Sequence, residues 1–134
     1  MLKLYSRGNP EILLHVVQRQ AEVEGRVNIA PDAEYLQVAS MRMQKGQTFK
    51  AHKHIPGDRV VKIPQESWVV VRGRVQCCLY DLDDTILAEP VLGPGDCSIT
   101  FRGGHNYSIL EDDTVVYEFK TGPYLGIELD KVFI

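Results

Sequence analysis

The chain has no disulfide framework to hold it together. Its three cysteines are Cys77, Cys78 and Cys97, an odd number with two adjacent in sequence, and none forms a C-x-x-C pair. They read as reduced thiols in or near a core. No apolar run approaches the length of a membrane span, and the opening MLKLYSRGNP lacks the apolar centre of a signal segment, so a cytoplasmic protein with no membrane partner is expected. No large excess of positive charge is present. The net charge of −3 argues against a general binder of nucleic acid or anionic membranes. Gly-rich phosphate loops, G-x-S-x-G elbows, internal repeats and low-complexity stretches are all missing. Neither Cys77 nor Cys78 has an activating base beside it in sequence.

What is present suits one small domain. At 134 residues, 44% hydrophobic and 25% charged, the chain can bury roughly two-thirds of its unfolded surface. Residues 9 to 24 read as a helix. Asn9 is placed to cap it, Pro10 suits its first position, and Glu11 suits its positive first turn. Ile12, Leu13, Val16 and Val17 make an apolar stripe, and Gly25 is a stop. Such a helix would pack outside the main body or against a second subunit, with His15 at a surface or an interface. From Tyr35 the texture changes to short runs rich in Val, Ile, Thr, Tyr and Phe, broken by Gly, Pro and Asp. The candidate strands are 36–43, 48–52, 67–71, 75–81, 85–91, 98–101, 107–110 and 114–120. Many short strands at regular spacing mean an all-β sandwich or barrel.

The chemistry starts at His52 and His54. At the end of a candidate strand, residues two apart project the same way, and two such imidazoles are half of a metal site. Five residues separate Gly46 from His52, and six separate Glu66 from Gly73. This pattern resembles the first motif of the cupin superfamily: Gly, five residues, His-x-His, a spacer, Glu, six residues, Gly. Here the spacer is eleven residues, Ile55 to Gln65, and reads as a loop at a barrel mouth. The stretch from Gly95 to His105 is similar to the second cupin motif, with Phe101 in place of the usual proline. His105 is preferred over Asn106 as its ligand because imidazole is much the better transition-metal donor.

Within that superfamily the chain resembles small bacterial metalloproteins of the WbuC type, associated with surface-polysaccharide gene clusters. The carrying residues are His52-Lys53-His54, the blocks 68–75 and 91–93, the block 117–124 and Asp130-Lys131. The resemblance implies an all-β cupin barrel, that is a double-stranded β-helix or jelly roll. The expected layout is one domain over 1–134: an N-terminal helical segment at 1–25, the barrel at 27–120 and a tail at 121–134.

His52, His54, Glu66 and His105 would then hold a divalent transition metal (Fe, Mn, Ni or Zn), leaving open positions for water or substrate. Trp68 shares a face with Glu66, as barrel core or as a sugar platform. Tyr107 and Glu118 are candidates for moving a proton, with a structural role equally open. Lys53, Arg59, Lys62 and Arg102, together with Lys50 and Arg72, would form either a cationic rim for a carboxylate or phosphorylated sugar, or a solvated edge. The implied activity is metal-dependent chemistry on a small carbonyl or sugar-derived substrate, of isomerase, epimerase or oxygen-using type. A non-catalytic module binding a sugar or sugar nucleotide, and a cupin with a vestigial site, are the alternatives. A homodimer is expected.

Overall fold

The segment Leu13–Gln18, sequence LLHVVQ, is a strand buried at all six positions. In this computed structural model, which describes residues 1–54, 60–123, 126–130 and 132–134, that strand is central and the helix expected over residues 9–24 does not form. The reason is physical. A strand covered on both faces is apolar at successive positions, and such a run also satisfies helical spacing. The N-terminal helix signals form a turn instead: Asn9 accepts from the Glu11 N–H through its side chain and from the Ile12 N–H through its carbonyl. Only a short 3-10 turn follows, at Gln20–Glu22.

The elements run β1 (Leu2–Tyr5), β2 (Leu13–Gln18), β3 (Arg26–Asn28), β4 (Ala39–Met41), β5 (Glu66–Arg72) and β6 (Val75–Tyr80). Next come β7 (Ile86–Ala88), β8 (Val91–Leu92), β9 (Cys97–Thr100), β10 (His105–Ile109), β11 (Val115–Lys120) and a single helical turn, α1 (Ile127–Asp130). The fold is therefore nearly all β, as expected. The differences are local. β1 and β3 were not anticipated, and the strand expected over 36–43 shrinks to β4. The run expected over 85–91 divides at Pro90, which has no N–H for a ladder. The strand expected at Thr48–His52 does not form, and every residue from Met41 to His54 is exposed. Among the described residues no helix is long and apolar enough to cross a membrane.

Five strands pair in the order β1-β2-β9-β5-β11, and β10-β6-β7, with β8 on β6, make a second sheet. Neither closes on itself among the described residues. β3 and β4 form a separate two-stranded ribbon. Between the two larger sheets lie Val17 and Val70 from one side and Val75, Cys77, Leu79 and Leu92 from the other. The far face of the five-stranded sheet carries Val16, Cys97, Ile99 and Phe101, which pack under Ile29, Ala30, Leu36 and Val38. All three cysteines are free: Cys77 and Cys97 are buried, and Cys78 is half-buried.

The covering loop is fastened by polar side chains. Gln65 accepts from the Leu36 N–H at 2.7 Å and donates to Glu34 at 2.6 Å. The other Glu34 oxygen pairs with Arg102 at 2.8 Å.

His15, expected at a surface or interface, is fully buried. One ring nitrogen lies 2.8 Å from the Tyr80 carbonyl, which must accept a hydrogen, and the other lies 3.0 Å from Thr100 Oγ1. Burial lowers its pKa from 6.5 to about 4, although the Tyr80 carbonyl works the other way. The unfolded chain takes up this proton near pH 6.5 and the folded chain only near pH 4. Stability is thus full above pH 6.5 and falls as the pH drops from 6.5 towards 4, by about 3 kcal/mol in all. Urea unfolding at pH 7.5 and at pH 4.5 should show most of that loss, and His15→Gln should flatten it. Asp96, held below the usual carboxylate range by Gln20 and Arg19 against the opposing effect of burial, titrates below this window.

Candidate functional site

The inner face of the five-stranded sheet is crossed by a polar row. Pairing aligns Lys120 with Glu66, Glu66 with Thr100, and Thr100 with His15. The next row aligns Glu118, Trp68, Ser98 and Val17. Directly opposed residues in antiparallel strands share a face, so these side chains project towards the second sheet. β10 supplies the facing residues His105 and Tyr107, two apart on the same side.

Across the interior, His105 Nε2 lies 3.2 Å from Glu66 Oε1, with the two side chains 22% and 11% exposed. Trp68 Nε1–H donates to the same carboxylate oxygen at 2.9 Å. The Trp68 and Tyr107 rings stack, with centroids 4.0 Å apart and planes within 11°. The Tyr107 hydroxyl reaches Ser98 Oγ at 3.0 Å, and its ring leans on His105 at 5.3 Å. One ring nitrogen stands apart: His105 Nδ1 is buried with no hydrogen-bond partner among the described residues. The turn into β10 depends on Gly103, whose φ is +80° and whose Cβ would lie 2.5 Å from the Tyr80 carbonyl. Beside it, Ile134 rests against Gly104, next to His105 in sequence.

Glu66, His105, Trp68 and Tyr107 are thus brought together. His52 and His54 stand apart from them on the exposed segment, their rings edge to face at 5.4 Å. The His52 Nδ1 nitrogen lies 2.8 Å from the Lys50 carbonyl. Among the described residues no three His, Cys, Asp or Glu side chains are grouped to hold a metal ion. The expected ligand set therefore stands as two pairs.

The other candidates scatter. Lys53 and Lys62 are exposed, and Arg59 lies outside the described residues. Arg102 is engaged by Glu34 and so helps fasten the covering loop. Glu118 lies on the Trp68 row at the sheet edge, 3.8 Å from the Lys120 ammonium. Ser98, Thr100 and His15 were not anticipated in the interior. The alternation Cys97-Ser98-Ile99-Thr100 was the available signal, but polar positions of a strand ordinarily face water.

No family model, curated protein or solved structure matches the chain.

Burial holds the Tyr107 phenol well above the usual tyrosine range, offset only in part by Ser98. Tyr107 therefore keeps its proton and serves as a stacking wall, not a base. In an alkaline absorbance titration it should ionise only as the protein unfolds, and Tyr107→Phe should remove one tyrosine from that late step.

Proposed function

We propose that this chain is a metal-binding cupin-type protein acting on a small sugar-derived or carbonyl substrate, with Glu66 and His105 as the inner half of its metal site. The observation that carries this reading is the contact between the two side chains together with the buried, unpartnered Nδ1 of the same imidazole. A buried acceptor left unpaired costs about 1–3 kcal/mol, so such an atom in a polar cluster suits a site that takes a ligand. Two packed sheets with a polar patch in their shared interior suit a jelly-roll architecture. Three free cysteines suit the cytoplasm.

The donor set fits a divalent Fe, Mn, Ni or Zn ion. His52, His54 and His105 offer imidazoles and Glu66 a carboxylate. A hydrogen bond from His52 Nδ1 to the Lys50 carbonyl leaves Nε2 as the donor, a common arrangement of ligating histidines. Binding would draw His52 and His54 to the inner pair. When bound, the ion would supply Lewis-acid polarisation of a substrate oxygen.

The side chains account for the remaining tasks. Trp68 N–H fixes the Glu66 carboxylate that would face the ion, and His105 lies against the same oxygen. The Trp68–Tyr107 stack offers a flat wall to the apolar face of a sugar. Lys120, aligned with Glu66, adds positive charge for an anionic substituent.

Metal titration and elemental analysis should give one ion per chain. Binding should be lost in His52→Ala/His54→Ala and, independently, in Glu66→Gln/His105→Ala. Retention in either double variant would overturn the shared site. The separation of the two pairs favours a second reading, a module that binds its sugar ligand without turnover. Exchange of a ketose α-proton in deuterated water, followed by NMR, supports the enzyme, whereas tight binding without exchange supports the module.

A further inference from the structure

The β3–β4 ribbon is rooted in the core and wet at its far end. Ile29 and Ala30, which follow β3, are buried, whereas Gly25, Arg26 and every residue from Met41 to His54 are exposed. The ladder runs one step past the ribbon, where the Arg42 N–H donates to the Gly25 carbonyl at 2.7 Å. The chain then turns back. The Gln47 N–H donates to the Gln44 carbonyl at 3.1 Å, Gln47 Oε1 accepts from the Gln44 N–H at 2.6 Å, and Gly46 supplies a φ of +88°. Phe49 thereby returns to the ribbon end, and with Met41, Met43, Arg26 and Arg42 it lines an open groove of about 280 Å³.

The groove joins apolar surface to unmatched positive charge. Met41, Met43 and Phe49 are 43%, 44% and 60% exposed. Between Glu34 and Asp58 there is no acidic residue, but there are Arg42, Lys45, Lys50 and Lys53. Among the described residues none of these four, nor Arg26, is paired with a carboxylate. The net charge of −3 describes the chain as a whole, whereas this stretch is purely basic. We propose that the groove and its basic surroundings dock on the anionic surface of a lipid bilayer, with Phe49 and the two methionines entering the boundary between headgroups and acyl chains.

Two observations choose this occupant. First, the cations are spread out and unbraced. Arg26 Nη1 lies 3.4 Å from Met41 Sδ, a weak acceptor, and no acidic side chain orients any of the others. A single phosphate or carboxylate is gripped by a fork held in place by its neighbours. A headgroup layer is a diffuse field of negative charge, and long unbraced side chains suit it.

Second, the apolar members suit acyl chains and not bases. Single-stranded nucleic acid is held by aromatic rings that stack on successive bases. From Met41 to His54 Phe49 is the only Phe, Tyr or Trp, and its companions are two flexible thioethers. Aliphatic groups exposed beside cations match the layered chemistry of a bilayer, where a charged plane lies directly over hydrocarbon.

Flotation of the purified protein with vesicles tests the proposal. Phosphatidylcholine vesicles with about 30% phosphatidylglycerol should carry the protein at about 0.05 M NaCl and release it at about 0.5 M, and pure phosphatidylcholine vesicles should not carry it. Each cation near such a surface strengthens binding about fivefold, so Arg42→Gln/Lys45→Gln should weaken it about twenty-five-fold. Phe49→Ser should weaken it about tenfold, and Lys3→Gln on β1 should leave it unchanged. In Phe49→Trp the fluorescence should move to the blue on anionic vesicles, by more than in wild type. All these positions are exposed, and circular dichroism should show each variant folded. None of the groove residues is among the proposed metal ligands, so loss of vesicle binding and loss of metal binding are separate outcomes. Failure to float with anionic vesicles at low salt would overturn the proposal. So would equal binding to neutral vesicles, single-stranded poly(U) that outcompetes the anionic vesicles, or binding that a folded Arg42→Gln/Lys45→Gln variant retains in full.

Discussion

Burial of β2 and β9, inside the five-stranded sheet, on both faces is the constraint on which the rest depends. β2 and β9 are central, and their side chains alternate between two interiors. One interior is closed by the second sheet. The other is closed only by an irregular loop, and a loop holds such a place when its polar groups are satisfied. The Gln65, Glu34 and Arg102 network does this, and Gln65 also grips Thr121 at the end of β11. Loop and sheet are thus tied at one point, immediately before Glu66.

This constraint explains what was legible in the sequence. Strands that alternate, such as Val75–Tyr80 with its buried odd positions, are readable because one face is wetter than the other. The Trp68–Glu66 parity was readable for the same reason. β2 was not, because a strand with two dry faces loses its alternation and mimics a helix. Thr48–His52 failed in the opposite way. Its composition suits a strand, but strand propensity reflects packing against neighbours, and every residue of this segment is exposed.

The candidate site was half legible. Glu66 and His105 were selected by motif spacing and meet across the interior, 39 residues apart in sequence. Their setting was not legible. Ser98 and Thr100 look like solvent-facing positions of a strand, and His15 looked like a helix surface. No local pattern announces that three polar residues from β2 and β9 will line an interior. The cationic group dissolved for a related reason: spacing shows which charges are near in sequence, not that Arg102 is already matched by Glu34.

A carboxylate and an imidazole largely withdrawn from water carry a desolvation cost, met in part by their contact at 3.2 Å and by the Trp68 N–H, and His105 Nδ1 adds to that cost. The account holds that this pair is kept for chemistry and not for stability. Urea unfolding of Glu66→Met/His105→Leu at pH 7.5 tests that claim most directly. An unfolding free energy within about 1 kcal/mol of wild type, or above it, is the expected result, because well-packed apolar replacements of buried ionic pairs are often neutral or stabilising. A loss of about 3 kcal/mol or more would contradict the account and make Glu66 and His105 a structural tie between the two sheets.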